Sequence, residues 1–291
     1  MPSLPARSEH QTRQLTRTQP LLGTFVSIRI DEDSDAAQVA VDSAFARIAE
    51  VQHCMSFHDR NSELSQINRS AYSMPRRVSP LLHRVLRASL AMAHASRGNF
   101  DPTVAGRMVA LGQLPAPSDS AIDPRASWRN VRLTRDGKLH FERALYMDFG
   151  GIAKGYAVDL AVRTLRQHGI VSGTVNAGGD LRVFGGMQTI RVRDPAEPTQ
   201  SIALVEVCNA AVATSAGYFS ADDKHTDLIN PHDGASMGQD SSVTVVARRA
   251  IWADALTKIV LASPTEASPL LKKFRASAVI LHKDGSRHTL D

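Results

Sequence analysis

Residues 148–159 read DFGGIAKGYAVD, and no other stretch restricts the fold and chemistry of the chain as much. An acid and two glycines stand between a short apolar run, ending at Tyr146 and Met147, and an amphipathic helical pattern. A glycine pair at a strand-to-helix junction lets the backbone approach a ligand closely and leaves helix N–H groups aimed at an anion. Lys154 adds a positive charge one turn into the helix. The stretch is neither G-x-G-x-x-G nor a Walker A loop, so it implies neither a Rossmann nor a P-loop fold. Its own features fit two alternatives, a phosphate-binding turn or a tight structural turn with Lys154 in solvent.

On either side the pattern changes repeatedly between strand and helix. Residues 21–30 (LLGTFVSIRI) alternate and are β-rich, which predicts a first strand. Residues 36–54 carry apolar side chains at helical spacing. Residues 55–68 read as a polar loop with a short helical end that Ser62 would cap, and Ser79 with Pro80 opens a second long helix to about residue 96. Pro102 keeps residues 98–104 (GNFDPTV) a loop. Hairpins are predicted to turn at Asp136-Gly137 and Asp284-Gly285. Residues 213–238, poor in strand signals, form a long loop of the kind that usually carries function. Helices are expected over 251–261 and 265–274. Runs of antiparallel strands interspersed with helices predict an α+β fold with mixed, largely antiparallel sheets and packed helices.

With 43% hydrophobic and 22% charged residues, the 291-residue chain has the composition of a globular protein with a sizeable core. Aromatic content of 5% leaves few stacking surfaces, and the basic residues are dispersed, so nucleic acid is not an expected partner. The net charge of +5 suits an anionic ligand. Cys54 and Cys208 lack metal-ligand spacing and read as free thiols. No apolar run is long enough to span a membrane, and the N-terminal residues lack an apolar core segment; a cytoplasmic protein is expected. Residues 1–18 are expected to be a flexible polar tail, and residues 19–291 one domain or two intimately packed α+β subdomains.

Eight short motifs occur in a telling order: LGTFVSI, S-E-L-S-x-x-N at 62–68, GNFDPTV, DFGGIAKGYAVD, NAGGD, VATSAGY, INPHDG, and SVTVVA followed by ADAL. Together, over residues 22 to about 261, they resemble the ApbE family, the FAD:protein FMN transferases. The resemblance implies an ApbE-like, T-fold-like architecture. It also implies a reaction in which a threonine or serine hydroxyl of an acceptor flavoprotein attacks the FMN-side phosphorus of FAD and AMP leaves. Such chemistry calls for a hard cation, Mg²⁺ with oxygen ligands, and a cradle of donors for the pyrophosphate.

Carried over residue by residue, Asp254 matches the metal-ligating acid and Gly151 the position whose carbonyl completes that site. Asp148 and Lys154 match nucleotide contacts, as do Asn99, Phe100 and Asp101; Phe100 alone also fits a core aromatic, and Asp101-Pro102 a simple turn. Leu22 stands where a methionine usually meets the flavin. His58 takes the place of an aromatic over the ring, and Leu228 lines the nucleotide. Asn176, Gly178, Gly179 and Asp180 read as a structural turn supporting the site.

Two departures from the family pattern bear on catalysis. The run Asp254-Ala255-Leu256-Thr257-Lys258 has lysine where a threonine hydroxyl usually reaches the metal. Either Thr257 replaces that hydroxyl, or Lys258 pairs with Asp254 and its ammonium takes the place of the cation. In the long loop, Asp227 holds the position of a candidate catalytic histidine and Asn230 that of the following acid; His225 or His232 would have to substitute. Beside an active transferase, the alternatives are an FAD-binding accessory protein without activity and an FAD pyrophosphatase giving FMN and AMP.

Overall fold

A computed structural model describes residues 14–118, 121–197, 199–217 and 228–291. His225 and Asp227 therefore lie outside the described residues.

The chain begins with two paired strands, β1 (Leu15–Leu21) and β2 (Thr24–Ile30). Four of the seven β1 residues, Leu15 to Thr18, lie in the stretch expected to be tail, so the sheet starts earlier than the alternation at 21–30 suggested. Thr16 and Arg17 alternate with apolar neighbours only weakly, and pairing with β2 is what orders them. Helix α1 (Asp35–Met55) follows, capped by the Ser34 hydroxyl, which accepts from the Ala37 N–H. Then come α2 (Glu63–Ser70), β3 (Arg76–Arg77), α3 (Pro80–Ala95) and α4 (Ala105–Ala110). Ser62 and Ser79 cap α2 and α3 as their positions predicted.

The second half contributes β4 (Val131–Leu133), β5 (Lys138–Phe141), α5 (Ala153–Gln167), β6 (Gly173–Ala177), β7 (Asp180–Phe184), β8 (Met187–Arg193) and β9 (Ser201–Cys208). It closes with β10 (Ala211–Ala216), β11 (Ser241–Ala247), α6 (Ala250–Ala262), α7 (Pro264–Phe274), β12 (Ser277–His282) and β13 (Arg287–Leu290). Strand β10 runs into the segment expected to be loop. Its small residues gave little β signal, yet Ala211 and Ala213 are fully buried, and β10 packs against α6.

Eight strands form the main sheet in the order β1-β2-β6-β7-β10-β11-β12-β13, and every neighbouring pair is antiparallel. Strands β3-β5-β4 and β8-β9 form two small antiparallel sheets. Alternate side chains place Val26, Ile28, Val175, Ala213, Val243 and Val245 in the main core. Val183, Val212 and Leu281, pointing the other way, pack with Ile190, Val192 and Val207 of the β8-β9 ribbon.

Helix α6 is buried almost all round, from Ala250 to Val260, because it packs against α5, α7, β10 and β11. Helices α5 and α6 meet at Gly155. A Cβ there would lie 2.3 Å from the Ala250 carbonyl oxygen, so only glycine permits the crossing. Asp159, on α5, receives the N–H groups of Ala250 and Ile251 at 3.1 and 3.2 Å and ion-pairs with Arg182 and Arg249. It thus caps the start of α6 from outside the helix. The motif at 148–159 fixes both its own helix and the next one. Among the described residues no helix is long and apolar enough to cross a membrane.

Candidate active site

The N-terminal end of α5 meets Asp254 of α6 and the β6-β7 turn. Asp254 is fully buried. Its Oδ2 accepts the Gly155 N–H at 3.0 Å, and its Oδ1 lies 2.5 Å from Lys258 Nζ, one turn further along α6. Burial pushes the Asp254 carboxyl upward, but the charges of Lys258 and Lys154 outweigh it and hold the group below the ordinary carboxylate value.

Lys154 Nζ lies 2.5 Å from Asp180 Oδ2. Burial opposes the charge on Lys154, yet Asp180 and Asp254 together raise its pKa above that of a free lysine. Asp180 is 2% exposed, and its second oxygen, Oδ1, is buried without a hydrogen-bond partner. Burial first, then the neighbouring negative charge of Asp254, raise its pKa despite both lysines. The two carboxylates and two ammoniums therefore form one alternating cluster. Asp180 is more than a residue of a supporting turn, which is all that its sequence context suggested.

That turn has a demanding geometry. Gly178 and Gly179, at φ +63° and +99°, form a two-residue hairpin loop between Ala177 and Asp180. Leu22 and Gly23 do the same between β1 and β2, at φ +57° and +70°. The two turns pack together: a Cβ on Gly178 would lie 2.6 Å from Thr24 Oγ1. A leucine in the left-handed region costs roughly 1–2 kcal/mol, and the Gln52 side chain holds it there by accepting the Leu22 N–H. Leu22 thus stands beside the turn that delivers Asp180.

The half-buried Asp148 receives the Gly150 N–H at 2.8 Å and lies close enough to the exposed His58 and to Lys154 to feel their charge. Burial dominates, and its pKa is raised. The preceding residue, Met147, is gripped through both backbone groups by the Asn68 side chain at 2.9 Å. Glu63 meanwhile accepts the N–H and hydroxyl of Ser79, both at 2.6 Å. The S-E-L-S-x-x-N motif therefore supports the site instead of entering it.

The GNFDPTV loop packs on the same wall, with the Pro102 carbonyl accepting the Asp148 N–H at 2.8 Å. Phe100 is 6% exposed and part of the main core, with its ring edge 3.3 Å from the point a Cβ on Gly151 would occupy. It forms the floor beneath that glycine, the core placement that its type alone allowed. Asp101 closes a turn by accepting the Thr103 N–H and hydroxyl at 2.8 and 2.6 Å. Burial raises its pKa. Asn99 is buried and links α7 to the 228–238 segment: it donates to Glu266 and its Oδ1 lies 2.9 Å from His232 Nε2.

In that segment Leu228 accepts the Met237 N–H at 2.8 Å, and Asn230 Oδ1 accepts the His232 N–H at 2.9 Å. Asn230, at the position of the family's acid, shapes the turn. Gly98, Asp101, Trp128 and His232 line a cavity of about 260 Å³ that Arg97 and Arg107 also border.

Of the two contacts open to α6, the structure shows the pairing of Lys258 with Asp254. The Thr257 hydroxyl donates to the Asp254 carbonyl oxygen at 2.7 Å and meets Ser215 Oγ at 2.7 Å, so it is engaged within the helix and with β10. Lys258 pairs with Asp254. A magnesium ion wants about six oxygen ligands. Here one oxygen of each carboxylate carries an ammonium, Thr257 is occupied, and the single unpartnered carboxylate oxygen is Asp180 Oδ1. Among the described residues no group of three or more acids, histidines or cysteines is arranged to hold a metal ion. These residues do not fit a divalent cation.

The ApbE family model matches residues 22–281, which is most of the chain. The chain belongs to the ApbE family. Relatives in the family include the FAD:protein FMN transferase of Treponema pallidum, 28% identical over 91% of this chain and 83% of its own. The enzyme of the same name from Vibrio cholerae is 27% identical over 86% of this chain and 82% of its own. The fold agrees with solved ApbE structures. The ApbE protein of Thermotoga maritima superposes with a TM-score of 0.80 at 24% identity, covering 96% of this chain and 97% of its own. The flavin transferase ApbE of Vibrio cholerae gives 0.81 at 22% identity, covering 96% and 97%.

Proposed function

We propose that this ApbE-family protein transfers the FMN part of FAD to a hydroxyl of an acceptor flavoprotein. The observation that carries the reading is the Asp180–Lys154–Asp254–Lys258 cluster at the start of α5. Two ammoniums, Lys154 and Lys258, stand beside the first turn of α5, each held by a buried carboxylate. That is a setting for a pyrophosphate.

The balance of the reaction is FAD plus an acceptor hydroxyl giving the FMN phosphoester of the acceptor, AMP and a proton. The new bond joins the threonine or serine oxygen to the FMN-side phosphorus, and the bond from that phosphorus to the bridging oxygen breaks. Lys154 and Lys258 bind the pyrophosphate oxygens and stabilise charge that passes to AMP. Asp180 and Asp254 hold the ammoniums in place. Leu22, His58 and Leu228 stand where the flavin nucleotide is expected, and the segment containing His225 and Asp227 is where a base for the hydroxyl is expected. The magnesium ion that the resemblance implies has no part in this sequence of steps, because the residues present do not fit it.

Incubation with FAD and a flavinylation-competent acceptor domain tests the reading. AMP should appear together with a fluorescent acceptor band on a denaturing gel. AMP without a labelled acceptor would indicate hydrolysis, and bound FAD without AMP would indicate a binding protein.

A further inference from the structure

Lys258 runs from the middle of α6 along Gly151 to Asp254. Its Cε and Cγ lie 3.6 and 3.7 Å from the point where a Cβ on Gly151 would be, and its Nζ lies 2.5 Å from Asp254 Oδ1. The side chain is 12% exposed and Asp254 is not exposed at all. Gly151 and Asp254 are two of the positions at which the resemblance implies cation ligands, position 258 is another, and the lysine spans the space between the first two. Its neighbour Lys154 is anchored on Asp180, and Thr257 is turned back onto its own helix.

Resting on the transferase reading, we propose that Lys258 is a tethered cation: its ammonium neutralises the FAD pyrophosphate in place of a divalent ion. FAD binding and transfer by this protein accordingly need no Mg²⁺. An ammonium has three N–H donors. Asp254 accepts one and fixes the direction of the group, which leaves two for phosphate oxygens. A divalent ion entering at Asp254 would have to dislodge an ammonium paired to a fully buried carboxylate, or sit beside it against charge repulsion. The i, i+4 spacing on a helix makes the arrangement possible, because it stacks the two side chains on one face.

Two readouts that do not depend on turnover test this. The first is thermal unfolding with chelator and with Mg²⁺. The wild-type melting temperature should be the same in both, whereas Lys258→Thr, with the ammonium gone and a hydroxyl in its place, should melt higher in Mg²⁺. The second is FAD affinity by flavin-fluorescence titration. Wild type should bind equally with and without Mg²⁺. Lys258→Thr and Lys258→Met should lose about ten- to a hundredfold in chelator, the worth of one hydrogen bond to a charged group. Mg²⁺ should restore binding in the threonine variant only. The proposal is overturned if wild-type FAD binding falls tenfold or more in chelator, or if Mg²⁺ raises the wild-type melting temperature as it does that of Lys258→Thr. The wild-type comparison stands even if both variants fold poorly. Metal-free FAD binding with no AMP release would support the lysine's role and overturn the transferase reading. Transfer that requires Mg²⁺ would do the opposite.

Discussion

Lys154 Nζ lies 2.5 Å from Asp180 Oδ2, joining the first turn of α5 to the residue that follows the Gly178-Gly179 turn. The pair links the two glycine-rich motifs of the chain into one charged site. Lys154→Met should weaken FAD binding and also leave Asp180 buried and unpaired, lowering stability by about 3 kcal/mol, the low end for a broken buried pair because Lys154 keeps some solvent contact. Adding Asp180→Asn should recover most of that stability without recovering FAD affinity. Denaturant unfolding and FAD titration of the wild type and the two variants separate the two effects.

Gly155→Ala should displace α6, since its Cβ would lie 2.3 Å from the Ala250 carbonyl oxygen and 2.8 Å from Asp254 Cβ. Overpacking of this kind costs typically 1–3 kcal/mol. Chemical denaturation should show such a loss, and AMP release should fall more than FAD affinity.

How much of this could be read from the sequence depends on what each residue contacts. Ser62 and Ser79 were legible as caps because capping is local. The motif at 148–159 was legible as a turn entering a helix, while its own features left a phosphate-binding turn and a structural turn both open. Asp180 was not legible as a site residue: only the β6-β7 turn and α5, brought together by the fold, set it against Lys154. The choice between Thr257 and Lys258 also waited for the structure, since i+3 and i+4 both stay near Asp254. It was decided by Ser215, which gives the Thr257 hydroxyl a partner from another strand. Strand β10 was hidden by its alanines, and the supporting roles of Glu63 and Asn68 by their distance in sequence from Ser79 and Met147.

Asn68→Ala should free both backbone groups of Met147 and cost about 2–4 kcal/mol, two buried hydrogen-bonding groups left without partners. The adjacent Asp148 should lose its position, so FAD affinity should fall as well. Hydrogen exchange at Met147 and FAD titration check the two parts.

Asp148 and Asp254 should respond to pH with opposite sign. The Asp254 pKa is lowered in the fold, so its charge adds stability above the ordinary carboxylate pKa of about 3.9, and that stability is lost as pH falls through the lowered value. The Asp148 pKa is raised by burial, so its ionisation subtracts stability as pH rises from about 3.9 through the raised value. Asp254→Asn should therefore destabilise at neutral pH and Asp148→Asn should stabilise. Both differences should shrink in acid, as followed by unfolding free energies across the pH range.

The most direct measurement is the intact mass of an acceptor domain after incubation with this protein and FAD, with chelator present throughout. Transfer predicts an acceptor heavier by one FMN less one water, with AMP released in equal amount. An acceptor of unchanged mass beside accumulating AMP, or FAD bound with no AMP at all, would contradict the account.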